Sequence, residues 1–498
     1  MKETMIQYFE WNTPADGHHY TRLARHAGWL RDLGFTKVWL PPACKGFGGK
    51  NDTGYSPYDL YDLGEFRQKG SVRTKYGSLK QYLHLIEALH DCRLEVLADI
   101  VFDHRMGADV TEEVMVIRMD DHNRNQPVSD PFKGKVYTGF QFPGRHGAYS
   151  TFVWNASCFK ATDTVVSQPR GIYLFEGKHW DKRVSQEQGN FDYIMGVDVD
   201  TEAAPVRDEL TRWGRWMISR TGIDGFRLDA VKSIDAGFFP GWLDEMRKYK
   251  GKPAYAVGEY WSGNLDELKA YLQACQGCMS LFDVPLHFHF YDVARSSGQG
   301  DLRGLAMNTL STADPHHACT FVDNHDTQPG QALESWVMDW FRTSAYAWVL
   351  LRNDEMPCIF EPDLTGSGGF HVVSLLEEMI WIRAHLLSDT IIDCFDDDPQ
   401  KACWISLCEH PVVVIMTIGD GKTSHLKFAE LAGMELVDLA RGQVSVKVDD
   451  QGSFSVSCAP GCCSIYLRKE DADWLKRGLP RRPLYLNGHT RAAKQQKK

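Results

Sequence analysis

The chain has 498 residues, with 43% hydrophobic and 24% charged side chains, which is enough for two or three domains around a sizeable core. Its net charge of -11 argues against a protein that holds nucleic acid by bulk positive charge. No stretch reaches the ~18 apolar residues of a membrane span, and the start Met1-Lys2-Glu3-Thr4 is too polar for an export signal. The 13 cysteines are an odd count without metal spacing, with Cys275/Cys278 a lone C-x-x-C, and read as thiols in a reducing cytoplasm.

In chain order, 5–11 is a short β-rich run. Residues 26–33 have helical spacing and end at Gly34, a helix-stop residue. Residues 37–41 form a strand stopped by Pro41, 52–59 a polar aromatic loop, 79–92 an amphipathic helix and 95–101 a third strand. The rhythm breaks from 105 to 197, a segment rich in Gly, Asp and Tyr that is too long for a structureless loop and reads as an inserted β-rich subdomain. Alternation resumes with a helix at 205–220 and a strand at 225–229. A helix at 238–248 and strands at 254–259, 279–283, 319–323 and 357–360 follow. Eight strands with interleaved helices and one insertion predict a (β/α)8 barrel of residues 1–104 and 198–390, interrupted by 105–197. Residues 391–470 show β-runs between Gly and Asp turns and predict a C-terminal all-β domain of Greek-key type. The tail beyond Trp474 carries eight Lys or Arg and no acid, so 471–498 is expected to be a solvated, disordered end.

Active sites of such barrels lie at the C-terminal strand ends. Arg227 and Asp229 are two apart on the fourth strand and share a face, which in a barrel covered on both sides points inward. An arginine beside a carboxylate keeps it ionised, as a nucleophile requires; a buried structural ion pair is the plainer alternative. Asp99, Asp103 and His104 end the third strand, Glu259 the fifth, and Asn324, His325 and Asp326 the seventh. Asp229, Glu259 and Asp326 thus converge from three strands. Structure alone seldom calls for that, because each charge raises its neighbours' pKa. Retaining glycoside hydrolysis needs one ionised and one protonated carboxyl roughly 5–5.5 Å apart.

Asp99-Ile100-Val101-Phe102-Asp103-His104, Gly225-Phe226-Arg227-Leu228-Asp229-Ala230-Val231-Lys232, Gly258-Glu259-Tyr260-Trp261 and Phe321-Val322-Asp323-Asn324-His325-Asp326 resemble, in order, the four signature regions of the α-amylase family of glycoside hydrolases. The flanks Gln7-Tyr8-Phe9-Glu10-Trp11 and Asp326-Thr327-Gln328-Pro329-Gly330 resemble the bacterial liquefying α-amylases, here in an intracellular form. The resemblance implies an endo-acting, retaining hydrolase of α-1,4-glucans. It implies Asp229 as nucleophile, Glu259 as acid/base and Asp326 as the carboxylate that holds the sugar and stabilises the transition state. By the same resemblance Arg227 orients the nucleophile, His104 and His325 contact the cleaved sugar, Tyr55 stacks on it, and Lys232 and Trp261 line the acceptor side. A 4-α-glucanotransferase on the same residues is the alternative. A non-catalytic carbohydrate-binding protein would be expected to lack one of the three acids.

Within the insertion, clustered carboxylates suit Ca²⁺ rather than Zn²⁺. The resemblance implies Asp103, Asp192 and Asp198 as calcium ligands, with Asp181 and Asp200 on a neighbouring cation cluster. Two residues depart from the family pattern. Asp103 stands where Asn is usual, and Lys160 stands where an acidic ligand is expected. One calcium, with Lys160 paired to Asp181 or Asp200 in place of further ions, is the expectation. An α-glucan is the expected partner of a monomer, with no nucleic acid or membrane.

Overall fold

The computed structural model describes residues 2–352, 356–442 and 444–483. Eight parallel strands close into a barrel: β1 (Met5–Gln7), β2 (Lys37–Leu40), β3 (Glu95–Ile100), β4 (Gly225–Leu228), β5 (Ala256–Gly258), β6 (Ser280–Phe282), β7 (Ala318–Phe321) and β8 (Met356–Phe360). Each strand pairs with its sequence neighbour, and β1 pairs with both β2 and β8. The predicted (β/α)8 barrel is therefore the observed one. Met5, Trp39, Leu97, Val257, Phe282, Cys319 and Cys358 fill the barrel interior, and a larger apolar layer lies between the strands and the helices around them. The register pairs Arg227 on β4 with Asp99 on β3, so two charged side chains enter this interior side by side.

Several boundaries differ from the sequence expectation for local reasons. The first helix runs over His19–Leu33, starting earlier than the predicted 26 because its N-terminus has no side-chain cap to mark it; it ends at Gly34, which takes φ 115° as the C-cap. The helix Leu79–Asp91 carries a full capping box from Ser78 and Gln81. The stretch predicted as a loop at 52–59 contains a short strand, Pro57–Asp59, paired antiparallel with Lys45–Gly46.

The insertion forms a six-stranded sheet of His104–Arg105, Val197–Val199, Phe159–Thr162, Tyr173–Phe175, Val110–Arg118 and Phe132–Gly139, in that spatial order. Its first two strands matter for the site: Asp198 pairs with His104, next to Asp103. The C-terminal part is all-β up to residue 468, with a six-stranded sheet beside a two-stranded one. The expectation of a disordered end from 471 is corrected as far as residue 483. Lys469–Gly478 is a helix whose Trp474 packs edge-on against Trp381, and Arg482 binds Glu377 at 2.6 Å. The helix is amphipathic despite its many charges, and burial of Ala472 and Leu475 outweighs the basic composition. The remaining basic residues, from Arg491 on, lie outside the described residues.

Candidate active site

Arg227 organises the site. Its guanidinium is 1% exposed and forks to three acids: Nη1 lies 2.5 Å from Asp229 Oδ1 and 3.0 Å from Asp99 Oδ1, and Nη2 lies 2.8 Å from Glu259 Oε2. A planar fork fixes the direction of each carboxylate as well as its charge. The backbone N–H of Ala230 donates to Glu259 Oε2 at 3.2 Å, and Ala230 itself takes φ 47°, so the chain turns sharply just after Asp229. Asp229 and Glu259 remain 12% and 11% exposed and Asp326 22%, so all three open toward the rim, whereas Asp99 is sealed.

These environments set the acids apart. Burial pushes Glu259 up to about 7, against the pull of Arg227 and with a further push from Asp229. Burial and then the Glu259 charge drive Asp326 well above the usual carboxylate range. Asp99 rises to about 6 through burial, although Arg227 opposes this and Tyr55 OH (2.7 Å) and Trp39 Nε1 (2.9 Å) both donate to its Oδ2. Asp99 thus anchors both the arginine and the platform ring of Tyr55.

Tyr55 stacks on His325 with ring centres 5.0 Å apart and on Trp11 at 5.8 Å. Gln7 Nε2 donates to His325 Nδ1 at 3.0 Å, which leaves the His325 proton on Nε2, 3.2 Å from Asp326 Oδ2. Burial and the Arg227 charge keep this imidazole neutral, far below its ordinary pKa. His104 differs: Nδ1 faces Asp103 Oδ2 at 3.1 Å and Nε2 faces the Tyr55 carbonyl at 2.9 Å, so both nitrogens donate. Burial pulls its pKa down, but the Asp103 carboxylate more than offsets this and the net shift is upward. Lys232 Nζ reaches Glu187 Oε1 at 2.8 Å and the Trp261 carbonyl at 3.1 Å, tying the insertion to the rim beside Trp261.

The barrel therefore brings Tyr55, His104, Arg227, Asp229, Glu259, His325 and Asp326 into one linked network, with Lys232 and Trp261 on its flank. The sequence places Asp99 at the rim but assigns no role to it, nor to Trp39, Gln7 or Trp11. The signal was available for Asp99, an inward-facing acid on β3 in register with an inward-facing arginine. It was weak for Trp39 and Gln7, whose roles arise only when their strands meet.

The sequence matches the family described as "Alpha amylase, catalytic domain" over residues 23–385. The chain belongs to the α-amylase family. It is 49% identical to an α-amylase of Geobacillus stearothermophilus over 96% of this chain and 90% of that one. It is 37% identical to the cytoplasmic α-amylase of Escherichia coli (strain K12), over 94% and 99%. A solved α-amylase from Geobacillus thermoleovorans, complexed with acarbose, shares the fold with a TM-score of 0.64 at 18% identity, covering 94% of this chain and 98% of that chain. This α-amylase-family enzyme carries all three rim acids that the family resemblance implies.

The acids of the insertion are arranged differently from the expectation. Lys160 is 1% exposed and its Nζ lies 2.5 Å from Asp181 Oδ1 and 3.0 Å from Asp192 Oδ2. Of the two expected partners it takes Asp181; Asp200 is engaged by Lys178 at 2.6 Å and by the N–H groups of Glu202 and Ala203. Asp192 Oδ2 also accepts from the backbone of Asp181 at 2.7 Å. Asp103 Oδ1 and Asp198 Oδ2 are buried without a hydrogen-bond partner among the described residues. Two orphaned carboxylate oxygens, one just before His104 and one on Val197–Val199, have the chemistry a hard cation takes, although among the described residues no group of three or more acids, histidines or cysteines is arranged to hold a metal. Asp181, Asp192 and Asp200 are each already held by an ammonium, which counts against all three, the expected calcium ligand Asp192 included, as cation ligands.

Proposed function

We propose that this enzyme cleaves α-1,4-glucosidic bonds within starch, glycogen or maltodextrin chains, with retention, through a covalent glycosyl–Asp229 intermediate. The observation that carries the reading is the single buried guanidinium shared by Asp229 and Glu259. One fork keeps two carboxyls close and unequal: Asp229 at the shorter contact, and Glu259 held near neutrality by burial. In the first step Glu259 gives its proton to the glycosidic oxygen while a carboxylate oxygen of Asp229 attacks the anomeric carbon. The bond from that carbon to the leaving oxygen breaks and an ester to Asp229 forms. In the second step Glu259, now a carboxylate, takes a proton from water as the water attacks the same carbon and frees Asp229. Asp326 and the Nε2–H of His325 face the sugar hydroxyls, and the Tyr55 ring offers an apolar face beside them. Lys232 and Trp261 border the acceptor side. Arg227 stays paired throughout and orients both acids.

Asp103 and Asp198 would hold one Ca²⁺, which would neutralise buried acid and tie the insertion to the barrel; Asp192, expected as a third ligand, is instead held with Asp181 by Lys160, which supplies the charge that a further ion would bring. The E. coli relative is named as cytoplasmic, and a soluble monomeric enzyme acting on a cytoplasmic α-glucan is the matching assignment here. The test is a product time course on maltoheptaose, with the anomer of the first product followed by NMR. Early products shorter than seven units and of α configuration are expected. Products longer than seven would overturn hydrolysis in favour of glucanotransfer, and β-anomers would overturn the covalent step.

A further inference from the structure

Far from the catalytic rim, the lone C-x-x-C lies on a turn at the opposite end of the barrel. The helix Leu265–Ala274 ends at Cys275, and the chain then reverses into β6 through Gln276 and Gly277. Both central residues adopt positive φ, 57° and 60°, the pattern of a type I′ turn, and Cys278 N–H donates to the Cys275 carbonyl at 3.2 Å. A left-handed Gln is an uncommon conformation, so the turn is imposed by its surroundings. The Gly277 N–H donates to Leu272 O at 2.8 Å, and Arg247 donates to the Cys278 carbonyl at 2.8 Å. A four-residue turn keeps its end Cα atoms within about 7 Å, and a disulfide needs roughly 4.4–6.8 Å.

We propose that Cys275 and Cys278 are a reversible dithiol–disulfide site that reacts with low-molecular-weight disulfides such as oxidised glutathione. The two cysteines occupy the two ends of one hydrogen-bonded turn. Cys275 is fully buried, whereas Cys278 is partly exposed and lines a cavity of about 410 Å³ at the N-terminal strand ends, together with Arg247, Tyr255 and His317. The hydrogen bond from the Cys278 thiol, against burial and with help from the N–H groups of Cys278 and Gly277, draws the Cys275 thiol below its ordinary pKa. The two cysteines therefore have different parts. Cys278 is the sulfur an oxidant can reach, and Cys275 is the resolving thiol.

The exchange balances. Cys278 loses its proton to water and attacks the glutathione disulfide; a Cys278–glutathione bond forms and one glutathione thiolate leaves. Cys275 then attacks the Cys278 sulfur, its proton passes to a glutathione thiolate, and the second glutathione departs. Two protein thiols are oxidised to one disulfide, and one glutathione disulfide is reduced to two thiols.

The second close pair provides an internal comparison. Cys394, just past the strand Ile391–Asp393, is partly exposed and its N–H is bonded to Cys403 O at 2.8 Å, while Cys403 is buried in the sheet core, so this pair too has one reachable and one sealed sulfur. The test equilibrates the full chain with reduced–oxidised glutathione mixtures, quenches with an alkylating agent and maps the thiols by mass spectrometry. The expected result is a disulfide within the 275–278 peptide, reversed by reduced glutathione, while maltoheptaose cleavage is unchanged. Cys275→Ser should trap one glutathione on Cys278, and Cys278→Ser should leave Cys275 unmodified. A wild-type 275–278 peptide that stays dithiol at high oxidised glutathione, a disulfide confined to Cys394–Cys403, or glutathione on Cys275 in Cys278→Ser would each overturn the proposal.

Discussion

Two clusters of buried acid lie close together in this molecule and are neutralised in opposite ways. At the rim, Asp99, Asp229 and Glu259 share the guanidinium of Arg227. Under the insertion, Asp181 and Asp192 share the ammonium of Lys160, with Asp198 and Asp103 nearby. A guanidinium is a rigid fork and holds each acid in a set direction, whereas an ammonium is a point charge that tolerates any arrangement around it. The rim acids stay 11–12% exposed where they must meet substrate, and the insertion acids beside Lys160 are 2% exposed. Under the proposed mechanism, direction and access set apart the cluster that does chemistry from the sealed one that holds parts together.

The largest break in this comparison is expected from Asp229→Asn, which keeps the shape and removes the nucleophile. The rate on maltoheptaose should fall by about 10,000-fold with the thermal unfolding midpoint little changed. A rate within tenfold of wild type would place the nucleophile elsewhere.

Lys160→Met should do the reverse: it leaves the rim intact and strands two buried carboxylates. Removing one partner of a buried pair costs about 3–5 kcal/mol, so the unfolding midpoint should drop sharply. Added Ca²⁺ should restore more of that loss in Lys160→Met than it adds to wild type, because the variant offers a second cation a place. Equal calcium responses in calorimetry would show that Lys160 does not stand in for an ion.

The third expectation concerns pH. Glu259 must carry its proton to serve as the acid, and burial places its pKa at about 7. Above that value kcat/KM should fall by about tenfold per pH unit, the slope of a single deprotonation. Glu259→Gln should abolish this alkaline limb along with most of the rate. A wild-type limb displaced to near the ordinary carboxylate range would mean that Arg227, rather than burial, dominates Glu259.

Much of this was legible in the residues themselves. The strand–helix rhythm gave the barrel because each parallel strand is buried on both faces and reads as an apolar run, and charges interrupting such runs at 227, 229 and 259 stood out. Lys160 was legible for a similar reason: a cation among spaced acids has few bland explanations. What was not legible depended on meeting partners. Trp39 and Asp99 are 60 residues apart in sequence and hydrogen-bond only because β2 and β3 lie side by side. The extent of the first helix was hidden by its missing cap, and the helix at Lys469–Gly478 by charges that mask a narrow apolar stripe. The engagement of Asp200 by Lys178 rather than Lys160 rests on a loop whose course no periodicity encodes.

That last pair gives the smallest and sharpest test. Lys178 is 26% exposed and binds Asp200 Oδ2, while the other oxygen of Asp200 accepts two backbone N–H groups just before the helix Ala204–Thr221. Asp200 therefore keeps hydrogen-bond partners when the lysine is lost, and water can reach the vacated position. Lys178→Met should cost no more than about 1 kcal/mol, as for a solvent-screened pair, and should leave the calcium response at its wild-type value. The same substitution at Lys160 and at Lys178 then differs only in burial and in what remains for the abandoned acid. If both variants lost stability equally, the sealed cluster would be an extension of the surface charge pattern, and the contrast with the Arg227 fork would have to rest on geometry alone.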